Sequence, residues 1–359
     1  MSGSVLVCGF STRHVARSAR LAGFTVYAVD HFCDQDLSWY TQDRVRFEEL
    51  AELPGAIEEM CTRHQVDWLV PTSGAELLPG RTTFLGTSPG RAHRFMDKLL
   101  TQEFFESIGI PAPKIQESGH YPAMIKPRTG SGGWRNTVIR NGEDLARWLE
   151  DFDYPPYLTQ EVVSGTAASV CCVADGSGNA RALAANRQIL RDEVGVNFGF
   201  SGSLTPFNHK GTTLMMEMAE KIAGASGCQG TLGIDFVLGD DEPWAIEVNP
   251  RFQATLDTVE AATGENLFSI HADGCRGILP ARSLPISRHA VRRILFADRD
   301  VVVKEDLSSL SPMVADIPWP GSFFEEGHAL ISVYGWGGNE GEAFASLDKH
   351  MKRVRQYMG

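Results

Sequence analysis

Apolar residues recur along this chain with two periods, and the alternation between them outlines its elements. "SVLVCG" is a short apolar run that ends at Gly9 and reads as a strand. "TRHVARSARLAG" follows with helical spacing, and Gly23 suits the position just past a helix. "FTVYAVD" is a second strand, with Asp30 at its end. "VDWLVPTSG" (66–74) is a further buried strand whose end, Pro71 to Gly74, is set to face a crevice. From residue 93 the texture changes. Leu100, Phe104 and Ile108 lie at i, i+4 and i+8, one face of an amphipathic helix that Gly109 stops before Pro111. The pattern then predicts a helix over 143–151, a strand pair near 157–175 and a helix over 212–225. The segment from 281 begins with strand-like "AVRRILFAD" and closes with a helix. There Phe344, Leu347, Met351, Val354 and Met358 form a packing stripe. This predicts an N-terminal α/β domain (1–92), a central domain (93–280) and a small α+β segment (281–359).

Composition narrows the function more than the fold. With 359 residues, 43% apolar and 22% charged, the chain is an ordinary globular protein of two or three domains. A net charge of −12 argues against broad nucleic-acid or anionic-membrane surfaces. No apolar run reaches the ~18 residues of a membrane span, and no signal peptide is evident. Seven scattered cysteines with no CxxC suit a reducing cytoplasm and offer no zinc pattern. Asp30 after a second strand tempts a dinucleotide reading, but only Gly9 stands where GxGxxG is needed.

The richest stretch is "TLGIDFVLGDDEPWAIEVNPRF" (231–252). Leu232, Ile234, Phe236 and Leu238 alternate with Thr231, Gly233, Asp235 and Val237, the period of a strand. "GDDEP" is dense in turn residues, and Trp244, Ile246 and Val248 then alternate with Ala245, Glu247 and Asn249. If the turn is 239–243, Leu238 pairs with Trp244 and Asp235 faces Glu247, their side chains about 5 Å apart at Cβ. Asn249 lies two residues further on the same face. Two facing carboxylates repel unless something neutralises them, and a hard divalent cation would. Two carboxylates and an amide suit Mg²⁺ or Mn²⁺. Arg251, just past the strand, can hold a phosphate on the same side. A solvated edge hairpin that meets no metal is the bland alternative.

"MIKPRTGSGGW" (124–134) poses a second question. The chain contains no Gly-Lys pair, so a Walker A loop is excluded. Here the lysine precedes the glycines at a strand end, and Thr129 to Gly133 can close over phosphates as a flap. Taken in order, Lys98, Lys126, the flap and the carboxylate hairpin resemble the ATP-grasp superfamily over roughly residues 93–280. "DK" with "GIPAPK" looks like the family's first lysine segment, and "MIKP" with "TGSGG" like its second lysine and phosphate-covering loop. "LTQEVVSG" (158–165) is similar to its inter-lobe hinge, and "GIDF…AIEVNPR" to its metal hairpin.

That resemblance implies an ATP-grasp fold preceded by an α/β domain, with ATP and Mg²⁺ (or Mn²⁺) as cofactors. Lys98 would contact the α-phosphate and Lys126 the α/β-phosphates, under a flap of Thr129, Gly130, Ser131, Gly132 and Gly133. The backbone of Glu161, Val162 and Val163 would hold adenine. Asp235, Glu247 and Asn249 would bind the metal, Arg251 would face the transferred phosphoryl group, and Arg187 would be a further phosphate contact. Many members carry a ribose-holding acid after the hinge glycine, where this chain has Ala167 and Ala168. The C-terminal segment is similar to that of biotin-carboxylase-like members. The implied activity is a cytoplasmic, ADP-forming carboxylate–amine ligase acting on small molecules, with a homodimer compatible. A biotin-carboxylase-like carboligase, an ATP-grasp kinase and a non-catalytic nucleotide-binding module are the alternatives. Gly9–Arg13, Pro71–Glu76 and Asn197–Ser203 are the candidate walls for the second substrate.

Overall fold

A computed structural model describes residues 3–78, 83–117, 119–133, 135–191, 198–240 and 242–357. Met358 of the C-terminal stripe and Asn197 of the candidate substrate wall lie outside these residues. The opening rhythm folds as β1 (Ser4–Gly9), α1 (Arg13–Leu21), β2 (Thr25–Asp30), β3 (Asp43–Arg46), α2 (Leu53–Arg63) and β4 (Trp68–Pro71). The four strands form a parallel sheet of order β3-β2-β1-β4. Gly9 has φ +141°, and a Cβ there would come within 2.3 Å of the Thr72 hydroxyl, so only glycine lets the loops after β1 and β4 meet. The Asp30 carboxylate accepts from the Thr12 N–H (2.6 Å) and hydroxyl (2.8 Å) and is 2% exposed. It fastens the entry to α1 and is not offered to a dinucleotide.

After the short α3 (Pro89–Ala92), α4 (Lys98–Ser107) starts at Asp97, whose carboxylate accepts from the Leu99 N–H at 2.8 Å. It stops at Gly109, which takes φ +64°. β5 (Ala123–Pro127), β6 (Thr137–Ile139), α5 (Gly142–Asp151) and β7 (Tyr157–Gln160) follow. They make a small antiparallel sheet of order β6-β5-β7 around Ile125, Ile139 and Trp148.

The rest of the chain supplies β8 (Thr166–Asp175), β9 (Ala180–Leu190), β10 (Phe200–Thr205), α6 (Thr212–Ser226), β11 (Gln229–Leu238), β12 (Pro243–Asn249), α7 (Leu256–Thr263) and α8 (Leu267–Gly274). β13 (His289–Phe296), β14 (Val301–Val302), β15 (Val314–Ala315), β16 (Phe323–Phe324), β17 (Ala329–Gly337) and α9 (Glu340–Arg355) complete it. Eight strands build one antiparallel sheet of order β12-β11-β8-β9-β10-β13-β17-β15. The two strands between 157 and 175 therefore do not pair with each other: β7 pairs with β5, and β8 with β9 and β11. Beyond residue 280, β13 and β17 continue the same sheet.

Alternation along β8 sends neighbouring residues to opposite faces. Cys172 joins Leu232, Ile234 and Phe236 under α6, while Cys171 joins Phe252 and Phe268 on the side of α7, α8 and α1. Leu347 and Val354 of α9 are buried, with Phe344 and Met351 packed beside them. Among the described residues no helix is long and apolar enough to cross a membrane.

Candidate active site

The hairpin forms with Gly233 opposite Asn249 and Asp235 opposite Glu247, as the alternation predicts. Beyond that pair the register departs from expectation. A bulge at Ile246 sets Ala245 against Phe236 and Pro243, not Trp244, against Leu238. Ala245 therefore takes the core side and Ile246 faces the cavity with Glu247. The Ala245 N–H, on the outer side of β12, donates to Pro111 O at 2.9 Å.

Asp235 is encircled by amides. Gln188 and Gln253 each donate to its Oδ1 at 3.0 Å, and Asn249 donates to Oδ2 at 3.1 Å. Gln253 reaches it only because Gly233 has no side chain: a Cβ there would overlap the Gln253 amide at 1.6 Å. Even so, burial, and then the facing Glu247, push the Asp235 carboxyl up to about 7. A half-buried acid held against a second acid, with Arg251 offsetting only part of the repulsion, suits a hard cation.

Lys126 ends β5 with its ammonium buried and donating to Gln160 Oε1 at 2.8 Å. Burial lowers it to about 8, with Lys98 adding to the shift and Glu247 opposing it. Lys98, the first residue of α4, donates to Gly130 O at 2.6 Å, which ties the helix to the flap. Gly132 O accepts from the Phe200 N–H at 3.2 Å, and the Ser131 hydroxyl lies 3.5 Å from that of Ser73. At the hinge the Glu161 N–H donates to Lys114 O at 2.9 Å.

Asp235, Lys126, Glu161 and the Ser131–Gly133 turn share one cavity of about 360 Å³. Met124, Val163, Phe236 and Ile246 make its apolar end. Asp235, Glu247, Asn249 and Arg251 stand along its middle, and Ser11, His14, Thr72 and Ser73 close the far end. The Arg251 Nε donates to Glu76 at 2.5 Å and its Nη2 to Asn249 Oδ1 at 3.2 Å. Behind the far end lies a buried ion network. Arg13 pairs with Asp257 (2.6 Å) and Asp316 (2.9 Å), Arg292 pairs with Asp316 (2.9 Å), and the Tyr334 hydroxyl donates to Asp257 (2.6 Å).

Of the expected residues, Ser131, Gly132, Gly133, Lys126, Glu161, Val163, Asp235, Glu247, Asn249 and Arg251 line this cavity. Lys98, Thr129 and Gly130 sit at the base of the flap behind it. The Val162 side chain is 38% exposed and turns away. Arg187 does not line the cavity. It pairs with Glu340 at 2.8 Å and lies over the Phe344 ring, because its neighbour Gln188 takes the cavity side of β9. Arg13 likewise belongs to the ion network rather than to the cavity wall. Gln188, Gln253 and His14 were not foreseen, and Glu76 was expected only in a substrate wall, not as the partner of Arg251. Glu76 meets Arg251 across a separation of 175 residues that no local pattern reveals.

Residues 95–255 match the family of ATP-grasp domains. An uncharacterized protein of Methanocaldococcus jannaschii is 24% identical over 352 residues, covering 91% of this chain and 87% of its own length. The C-terminal section of the carbamoyl phosphate synthase large chain of Methanopyrus kandleri is 24% identical over 332 residues, or 79% of this chain. This chain spans 59% of that section. Among solved structures, the biotin carboxylase–β-γ-ATP complex of Campylobacter jejuni superposes with a TM-score of 0.79 at 16% identity, over 99% of this chain and 91% of its own. Phosphoribosylamine–glycine ligase of Thermotoga maritima gives 0.75 at 17%, over 97% and 96%. At such identities the structural likeness establishes the fold.

Proposed function

We propose that this chain, whose residues 95–255 match the ATP-grasp domain family, is an ADP-forming ligase that activates a carboxylate as an acylphosphate and joins it to an amine. The observation that carries this reading is the facing Asp235–Glu247 pair, half-buried in one cavity with Lys126 and Arg251. A relic would gain nothing from holding two acids face to face.

Asp235, Glu247 and Asn249 would hold Mg²⁺ (or Mn²⁺), and the raised Asp235 carboxyl fits that role. The metal, when bound, supplies charge neutralisation for the phosphates. The protein's own groups do the rest. Lys126 and Lys98 offset the triphosphate charge. The glycine flap covers it and excludes water, which would hydrolyse an acylphosphate. The Glu161 N–H is already bonded, so adenine is left the amides of Val162 and Val163. Arg251, braced by Glu76, presents its guanidinium where phosphate passes to the carboxylate. The amine then forms the C–N bond, the C–O bond to phosphate breaks, and phosphate leaves with that electron pair. No side-chain nucleophile is required.

The test is ADP release with MgATP across crossed carboxylates and amines, beside Glu247→Gln. Release that needs one acid–amine pair, and drops at least about 100-fold in the variant, supports the ligase. Release that needs bicarbonate and no amine would replace it with a carboligase. A stable phosphorylated product would replace it with a kinase.

A further inference from the structure

An amine that attacks an acylphosphate becomes strongly acidic at nitrogen and must shed a proton as the C–N bond forms. A group in the cavity has to accept it. The described residues that line the cavity leave few candidates. Arg251 and Arg292 are cations without a free lone pair. Lys126 donates to Gln160 and, in the ligase reading, to phosphate, so it keeps its proton. Asp235 and Glu247 belong to the metal in that reading. Glu161 stands at the hinge, where its Oε1 accepts from the Lys114 N–H at 3.0 Å. His14 is the one base left.

His14 is the second residue of α1 and only 7% exposed. Neither ring nitrogen has a hydrogen-bond partner among the described residues, yet neither is sealed from solvent. The opening they meet is this cavity, which His14 lines beside Ser11, Thr72 and Ser73. A buried histidine with a structural task looks different. His271 accepts from the Thr231 N–H at 2.8 Å through Nδ1 and donates to Leu85 O at 3.0 Å through Nε2. The backbone that carries His14 is fixed on both sides of the preceding turn, Thr12 by Asp30 and Arg13 by Asp257 and Asp316. Burial holds the imidazole down to about 4, with Asp257 and Asp316 opposing the shift and Arg13 and Arg292 adding to it, so the ring is neutral near pH 7. An anionic acylphosphate arriving in the cavity raises its affinity for a proton just when the amine nitrogen turns acidic.

We propose that His14 is the general base of the amine step, its free ring nitrogen taking the proton that the attacking amine loses. The proposal rests on the ligase reading and adds the residue that moves this proton. The amine enters as the free base, and its lone pair forms the C–N bond. One N–H proton passes to His14 as the C–O bond to phosphate breaks and phosphate leaves with that electron pair. The imidazolium then returns the proton to the released phosphate and is neutral again. Nothing else is consumed.

The test separates making the acylphosphate from consuming it. The full chain receives MgATP with the acid–amine pair that releases ADP in the crossed assay and, in parallel, the same acid with hydroxylamine. Hydroxylamine is mostly free base near pH 7 and traps acylphosphates as hydroxamates without help from a protein base. His14→Ala removes the ring, and His14→Gln keeps a polar side chain of similar reach. Both variants should bind MgATP as the wild type does, form hydroxamate within about threefold of its rate, and form amide at least about 100-fold more slowly. Amide formation by His14→Gln within about threefold of wild type overturns the proposal, since glutamine can hydrogen-bond but cannot take up a proton. An equal loss of amide and hydroxamate overturns it too, because His14 would then act before the amine arrives. Loss of MgATP binding in both variants makes His14 a structural residue and has the same consequence. If no acid–amine pair releases ADP from the wild type, the ligase reading itself falls, and this inference with it.

Discussion

Two charged clusters in this molecule are built on opposite rules. In the network behind α1, Arg13 and Arg292 alternate with Asp257 and Asp316. These guanidiniums hold both carboxyls well below the usual range despite burial. In the hairpin, Asp235 faces another acid and is hydrogen-bonded only by amides, and its carboxyl is pushed up even with Arg251 nearby. The first cluster pairs its charges within itself, with Asp36, which burial pushes up to about 6, as a further acid 3.5 Å from Arg13, and it holds α1, α7, β13 and β17 together. The second is left incomplete by the protein, and that incompleteness is where a ligand gains affinity.

Removing a charge should therefore act in opposite directions at the two places. Arg13→Met leaves Asp257 and Asp316 short of a partner and should cost about 3–5 kcal/mol in denaturant unfolding. A loss under ~1 kcal/mol would show that the network is not closed as described. Asp235→Asn, by contrast, relieves a repulsion. In the presence of a chelator it should stabilise the chain by ~1–2 kcal/mol while abolishing Mg²⁺-dependent nucleotide binding. A destabilised variant would make the hairpin an ordinary structural element.

Titration separates the clusters further. Lys126 carries a folded pKa of about 8 against an ordinary 10.5. Nearby phosphate favours the charged form, so binding MgATP raises that pKa and takes up a proton. The Kd should be lowest between about pH 7 and 8: it rises below that window as the Asp235 carboxyl takes up a proton, and above it, as Lys126 loses its own, toward about tenfold per pH unit. Lys126→Met should bind weakly at every pH, without that slope. The smallest effect is expected at Arg187, whose partner Glu340 is half-exposed. Arg187→Ala should cost ~0.5 kcal/mol and leave nucleotide affinity unchanged.

The hairpin was legible because its alternation is local, and Leu232, Ile234 and Phe236 all reach one core. The bulge at Ile246 was not, because it depends on how β12 seats against its neighbours and not on any residue in the turn. Arg187 was misplaced for a related reason. Without a recognised strand at 180–190 there was no parity to show that Gln188, and not Arg187, faces inward. Residues 157–175 read as paired strands because they are close in sequence, but Gly165 carries the chain from one sheet to another. The Glu76 brace on Arg251 and the neutral setting of His14 arise only when distant segments meet.

The seating of β12 has one more consequence. An edge strand offers a row of open amides and carbonyls to which another chain can add by strand pairing, the usual route to aggregation. Here the Ala245 amide on that edge is occupied by Pro111 O, and the opposite edge, β15, is only two residues long. The eight-stranded sheet thus ends in one obstructed border and one truncated border. A second copy that continued this sheet would first have to displace Pro111 from the Ala245 amide or pair along the two residues of β15.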